Sequence, residues 1–372
     1  MFDDIRPYND AEIPAAMQRI VADKYFPLVC DFLGMDQRTT AAVLGSCRTT
    51  EEFQRKFMYD AIWAIAHRTT GGLTVEGMER LNPKKNYLFV SNHRDIMMDA
   101  AFLQVLLLDA GRRTSEITFG ANLMQGQLVI DVGKSNKMFR IERPTTVTSP
   151  RDFLEKSKYV SSYMHYAIKE KRESVWIAQR NGRTKNGVDT TDQGIIKMFA
   201  MGGPEDKVES LAELNIAPLS ISYEWEPCDI LKALELYATT AGKPYIKKPG
   251  EDFNSILTGI TKPKGRVHLA VCEPIKREEL EAFRDLPSAA FNREVAALID
   301  RRILPAYKAR PNNYIAADLI NGERRYSYTE AEKAAFVQHV DSLTKEYPPE
   351  LRAILLRIYA SPVSGDSSLR SE

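Results

Sequence analysis

The 372-residue sequence holds 51 Lys and Arg against 50 Asp and Glu, a formal net charge of +1, with 44% hydrophobic residues. That content suffices for a sizeable core and excludes an intrinsically disordered chain, and the balanced charge supplies no global field for nucleic acid, so any anion site must be local. Cys30, Cys47, Cys228 and Cys272 are far apart and lack CxxC spacing, which argues against structural zinc or a dithiol redox pair and fits a reducing cytosol. The N-terminus, MFDDIRPYND, has neither the basic nor the apolar part of a secretory signal. The most apolar run, Ala100 to Leu108, is broken by Gln104 and is far shorter than the roughly 20 residues that cross a bilayer, so a protein that lies on a membrane is compatible and one that spans it is not expected.

Residues 1–80 read as a helical lead-in, with apolar positions at helical spacing in Ile13 to Leu33 and Phe53 to Ile65. From Asn86 the pattern changes to short β-rich runs, YLFVS, EITF, QLVIDV, MFRIE, SVWIA, APLSISY and RVHLAV, separated by helical stretches. Strands alternating with helices predict an α/β domain over 81–275 with helices flanking a sheet. The alternation of Val267, Leu269 and Val271 with Arg266, His268 and Ala270 predicts a strand toward a sheet edge. Phe153, Val160, Tyr163, Met164 and Ala167 form the apolar stripe of a helix over 150–171. Residues 276–360 read as a helical C-terminal region, where Thr329 and Glu332 form a capping box, and 361–372 as a flexible tail.

The chemistry concentrates in the segment Ser91 to Asp99, SNHRDIMMD, which follows the strand YLFV. Active-site groups of α/β sheets gather just past strand ends, and a neutral imidazole backed by a carboxylate suits proton removal from a hydroxyl near neutral pH. His93 with Asp99 or Asp95 supplies such a pair. Neither spacing brings the two side chains together on a continuous helix, so the chain must turn between them. The bland reading is that Asn92 or Asp95 caps the next helix and His93 lies in a surface loop.

Two further segments end in cations: KMFRIERP, with Phe139, Arg140 and Arg143, and WIAQRNGRTKNG, with Arg180, Asn181, Gly182, Arg183 and Lys185. A basic glycine turn can offer backbone N–H groups and charge-assisted bonds to a phosphate-sized anion, although any single arginine here is more often a solvated turn residue. A fourth segment, IAPLSISY, reads as a core strand with Pro218 near its start. His67, His165, His268 and His339 have no metal-ligand spacing and read as structural or surface residues.

In order, NHRDIMMD, FRIER, RNGRT and IAPLSIS resemble the four blocks of the glycerolipid acyltransferase family, which includes the glycerol-3-phosphate and 1-acylglycerol-3-phosphate acyltransferases, over residues 81–225. The resemblance implies that family's mixed sheet flanked by helices, with helical additions at both ends. It implies His93 as general base, Asp99 or Asp95 as the acid that orients it (Asp99 favoured despite one residue more than the usual spacing), and Arg143 with the Arg180 to Arg183 turn at the acceptor's head group. It implies acyl carrier protein or coenzyme A thioesters as donors, a lipid acceptor, no resident cofactor and no metal. The acceptor is left open between lysophosphatidate, glycerol 3-phosphate and an acylated amino acid, with lysophosphatidate foremost and Asn181 departing from the family's glutamate. The expected location is the cytoplasmic face of a bacterial inner membrane, touched by amphipathic helices in the first 80 or last 100 residues.

Rival readings are a metal-dependent phosphohydrolase using His93, Asp95 and Asp99 as ligands, and a lipid-binding protein without turnover. A serine hydrolase is disfavoured because no G-x-S-x-G elbow is present.

Overall fold

A computed structural model describes residues 1–142, 149–240 and 245–364. Among them, seven strands form one sheet: β1 (Thr70–Glu76), β2 (Leu88–Ser91), β3 (Glu116–Gly120), β4 (Met138–Ile141), β5 (Val175–Ala178), β6 (Ile216–Tyr223) and β7 (Gly265–Val271). Their spatial order is β1-β7-β6-β2-β5-β3-β4. Neighbours are parallel except β6 with β7, which makes the sheet mixed.

The central strands are apolar at consecutive positions because both faces of the sheet are covered. Phe89, Ile117, Trp176 and Leu219 belong to one core with Ile13, Met17, Phe53 and Phe57 of the N-terminal helices and Phe102 of helix Met98–Asp109. Leu88, Val90, Val175 and Ile177 belong to the opposite core with Tyr163 and Met164 of helix Pro150–Lys169 and Phe291 of helix Ser288–Ala306. A third cluster, including Ile315, Phe336 and Leu355, joins the C-terminal helices to Ala233. The capping box at Thr329 and Glu332 forms as expected.

The strand pattern departs from the sequence reading in two places. Residues 70–76, expected within the helical lead-in, form β1, where β-branched Thr70, Thr74 and Val75 suit the pleated surface and pair with β7. RVHLAV is flanked by β1 and β6 and so lies one strand in from the sheet edge, toward the edge as expected. QLVIDV lies in helix Gln127–Ser135, not a strand. A short apolar run fits either period, and the helical one lets Leu128 and Val132 reach the core while buried Asp131 pairs with Arg19 and Tyr8. The tail from residue 365 lies outside the described residues.

Candidate active site

β2 and β5 are parallel neighbours with Ser91 opposite Ala178, so the segments that follow them emerge at one edge of the sheet. That edge brings Asn92 and His93 beside Arg180, Asn181 and Gly182, and β3 and β4 end on the same side. All of these but Asn92 border a cavity of about 570 Å³, with residues from the ends of β3 and β4. Its walls are largely apolar: Phe119, Leu123, Trp176 and Ile177 from the sheet region, with Phe153, Leu154, Ile195 and Met198 from helices Pro150–Lys169 and Gln193–Ala200. His93, Thr118, Glu142, Ser157, Arg180, Asn181, Asp192 and Lys197 are its polar contributors. The volume falls within the ~300–1,000 Å³ of ordinary ligand pockets.

The loop after β2 is pinned by Asn92. Its side chain extends β6 pairing beyond the strand, accepting from Ile221 N at 2.7 Å and donating to Ile221 O at 3.0 Å. The chain then turns and enters helix Met98–Asp109, with Asp99 in its first turn. This turn performs what helix geometry could not, and His93 Nδ1 lies 2.8 Å from Asp99 Oδ2. The same oxygen accepts from the backbone N–H groups of Arg94 (2.7 Å) and Asp95 (3.0 Å), and Oδ1 accepts from the Tyr223 hydroxyl at 2.6 Å. Asp99 thus accepts from two backbone N–H groups and one hydroxyl besides facing the ring. An ionised carboxylate only accepts, so Nδ1 must donate, which leaves the lone pair of a neutral ring on Nε2. Burial, and then the Asp99 charge, hold the Tyr223 hydroxyl well above its ordinary pKa, so it stays a donor. The Trp176 ring meets the His93 ring edge-on, 5.7 Å between centroids.

Asp95 has a different task. Its Oδ1 accepts from Met97 N and Met98 N at 2.9 and 2.8 Å and so caps the helix that carries Asp99. Burial, with the Asp99 charge second, raises its carboxyl pKa. The capping interpretation therefore describes Asp95, while His93 is buried and lines the cavity instead of a surface loop.

Arg94, also buried, points away from His93 and anchors the loop from behind. It donates to Asp189 at 2.6 Å and Glu226 at 2.9 Å and lies over the Tyr307 ring, while Lys232 bridges Glu226 and the Arg94 carbonyl. Two carboxylates and two cations in one buried network offset each other's desolvation, which a lone ion could not do. Nothing in a single Arg of a His-Arg-Asp run distinguishes this role. Tyr223 carried a weak signal at most, as the last residue of an apolar strand.

The remaining expected site residues divide. Arg180, Asn181 and Gly182 border the cavity, and Gly182, at φ 76°, takes the left-handed conformation that reverses the chain after β5. Arg183 and Lys185 do not line it: Arg183 is buried, its charge acts on Asp95 and Cys228, and Lys185 pairs with Glu235. The chain passes over the His93 carbonyl at this point, Thr184 N donating to it at 2.9 Å. Phe139 packs in the core against Tyr163, and Pro218 sits within β6 opposite Val90, so neither borders the cavity. Arg140 is half-exposed and bonded to Glu142. Arg143 lies outside the described residues.

The other histidines have local partners. His165 Nε2 meets the Phe199 carbonyl, His268 Nδ1 the Thr74 hydroxyl and His339 Nε2 the Asp229 carboxylate, and His67 stacks on Trp63. The four cysteines are buried and free. Among the described residues, no three His, Cys, Asp or Glu side chains converge as metal ligands, and no helix is long and apolar enough to cross a membrane.

Residues 72–222, which span β1 to β6, match the family model described as Acyltransferase. Over this span the sequence matches an acyltransferase domain. The matched span holds His93, Asp99, the cavity-lining turn at Arg180 and all but the last residue of β6. Among solved structures, the crystal structure of the 1-acyl-sn-glycerophosphate (LPA) acyltransferase PlsC from Thermotoga maritima is similar at 14% identity and a TM-score of 0.37, over 80% of this chain and 97% of that one. Comparison with curated proteins returned no match.

Proposed function

We propose that this enzyme is an O-acyltransferase that moves a fatty acyl group from a thioester of coenzyme A or acyl carrier protein to a hydroxyl of a lysophospholipid-type acceptor, foremost 1-acylglycerol 3-phosphate. The observation that carries this reading is the His93–Asp99 pair at the edge of a largely apolar cavity within an acyltransferase domain.

In the proposed reaction, donor and acceptor bind together. His93 Nε2 removes the acceptor hydroxyl proton as the oxygen attacks the thioester carbonyl, and Asp99 stabilises the imidazolium that results. The new C–O bond forms, the C–S bond breaks, and the departing thiolate takes the proton back from the ring. The cavity walls at Phe153, Leu154 and Met198 suit an acyl chain, and Arg180 beside Gly182 suits the acceptor's phosphate. No acyl-enzyme intermediate is needed. Donor chain and product are both apolar, so the enzyme works at a membrane surface, on the cytoplasmic side where such thioesters are made.

Purified enzyme incubated with a radiolabelled long-chain acyl thioester and 1-acylglycerol 3-phosphate, with and without EDTA, tests the reading. Metal-independent transfer of label to lipid, reduced about 10²–10⁴-fold by His93→Ala, is expected. Near-normal turnover by that variant removes His93 from the role, and chelator-sensitive phosphate release would replace the reading with a hydrolase.

A further inference from the structure

Helix Glu251–Thr261 lies outside the matched acyltransferase span and is packed directly on the catalytic loop. Its Gly259 is so close to Asp95 that a Cβ there would lie 2.0 Å from Oδ2. Cys228 Sγ bonds to the Ser255 carbonyl, and Asp252 accepts from Asn122, the residue before the cavity-lining Leu123, at 2.8 Å. The inner face of the helix, Ser255, Ile256, Gly259 and Ile260, is thus committed to the site.

The outer face is apolar and open. Phe253 is 60% and Leu257 45% exposed, one helical turn apart, and Ile246 just before the helix is 83% exposed. The flanking cations Lys248 and Lys262 are exposed, whereas the segment's acids are engaged, Glu251 by Tyr245 and Asp252 by Lys247 and Asn122. Helix Phe26–Leu33 and its preceding Tyr25 also expose Tyr25, Leu28 and Val29, but residues 23–36 carry Asp23, Asp31 and Asp36 against one cation, Lys24, which lies over the Tyr25 ring.

We infer that residues 246–262 are the surface by which the enzyme docks on an anionic bilayer, with Phe253, Leu257 and Ile246 entering the acyl boundary and Lys248 and Lys262 meeting acidic head groups. Apolar side chains flanked by cations are what an anionic interface binds, and the acids of the other exposed segment are what it repels. The choice of a bilayer as occupant rests on the proposed lipid reaction. Docking through this helix sets the cavity's Leu123 border next to the membrane, so an amphipathic acceptor would reach His93 without leaving the interface. The surface falls outside both the first 80 and the last 100 residues, where helical patterning alone had placed membrane contacts.

Flotation of the full-length protein with vesicles, without donor or acceptor, tests docking independently of acyl transfer. Binding to equimolar phosphatidylcholine and phosphatidylglycerol, weak on phosphatidylcholine alone, is expected to fall at least about tenfold in Phe253→Asp/Leu257→Asp and in Lys248→Glu/Lys262→Glu, and to persist in Leu28→Asp. Thermal melts of the variants establish that they fold; all replaced groups are exposed. Unchanged binding in both double variants, loss only in Leu28→Asp, or a dimer of the wild type that Phe253→Asp/Leu257→Asp dissolves would overturn the inference.

Discussion

The backbone N–H of Asp95 donates to Asp99 Oδ2 at 3.0 Å, so the two acids that compete in sequence for His93 act in series: Asp95 caps the helix, and the helix presents Asp99 to the ring. Asp99→Asn is therefore expected to lower kcat about 10²–10⁴-fold with little change in donor KM, since an amide cannot fix the tautomer or support imidazolium. Asp95→Asn keeps an acceptor for Met97 and Met98 and should retain kcat within about tenfold. Steady-state kinetics of the pair decide the assignment, and a deeper loss in Asp95→Asn would reverse it.

Arg180 and Arg183 belong to one basic turn yet face different surroundings. Arg180→Ala should raise KM for a phosphate-bearing acceptor about 10–100-fold, the equivalent of a charge-assisted bond of about 1.5–3 kcal/mol. Arg183→Ala should leave that KM within about threefold and lower stability by about 1–3 kcal/mol, because it strips the compensating charge from buried Asp95. Acceptor titrations and denaturant melts on both variants separate these outcomes, and an acceptor KM that responds to Arg183 alone would return the phosphate site to the position the motif suggested.

Much of the site was legible in the sequence because it sits at strand ends. YLFV and SVWIA read as buried strands, and parallel pairing then obliges His93 and Arg180 to emerge together. What was not legible depends on direction and distance. A motif names Arg183 and Lys185 but not which way they turn, and Arg94 looks like any loop cation until Asp189 and Glu226, 95 and 132 residues away, close around it. The helix over 127–135 was hidden because LVIDV satisfies both periods and only the partners of Asp131 choose between them.

Lys264 provides a pH signature. Burial lowers its pKa to about 8 from 10.5. In the unfolded chain the group holds its proton up to about 10.5, so between about pH 8 and 10.5 the unfolded state binds more protons and rising pH favours the fold. Below about 8 both states are protonated and the burial cost is felt in full. Denaturant melts of wild type and Lys264→Met should show the wild type gaining stability relative to the variant across that window. A difference constant with pH would mean that Lys264 is not depressed.

Gly259 reverses the usual sign of a helix substitution. Glycine within a helix ordinarily costs about 1 kcal/mol relative to alanine, so Gly259→Ala in an unconstrained helix would stabilise. Here the added methyl would lie 2.0 Å from Asp95 Oδ2 and 2.8 Å from its Cγ, and the carboxylate cannot retreat without giving up the amides of Met97 and Met98. Either the helix lifts from the loop or the cap breaks, and each shifts Asp99 relative to His93. Gly259→Ala is expected to be less stable than wild type by about 1–3 kcal/mol, the scale of overpacking, with kcat reduced more than acceptor KM is raised. Pairing it with Asp95→Ala, which removes the obstructing carboxylate, should restore part of the stability lost by Gly259→Ala alone, a coupling read from the four melts of a double-mutant cycle. Additive losses would show that helix Glu251–Thr261 does not bear on the catalytic loop.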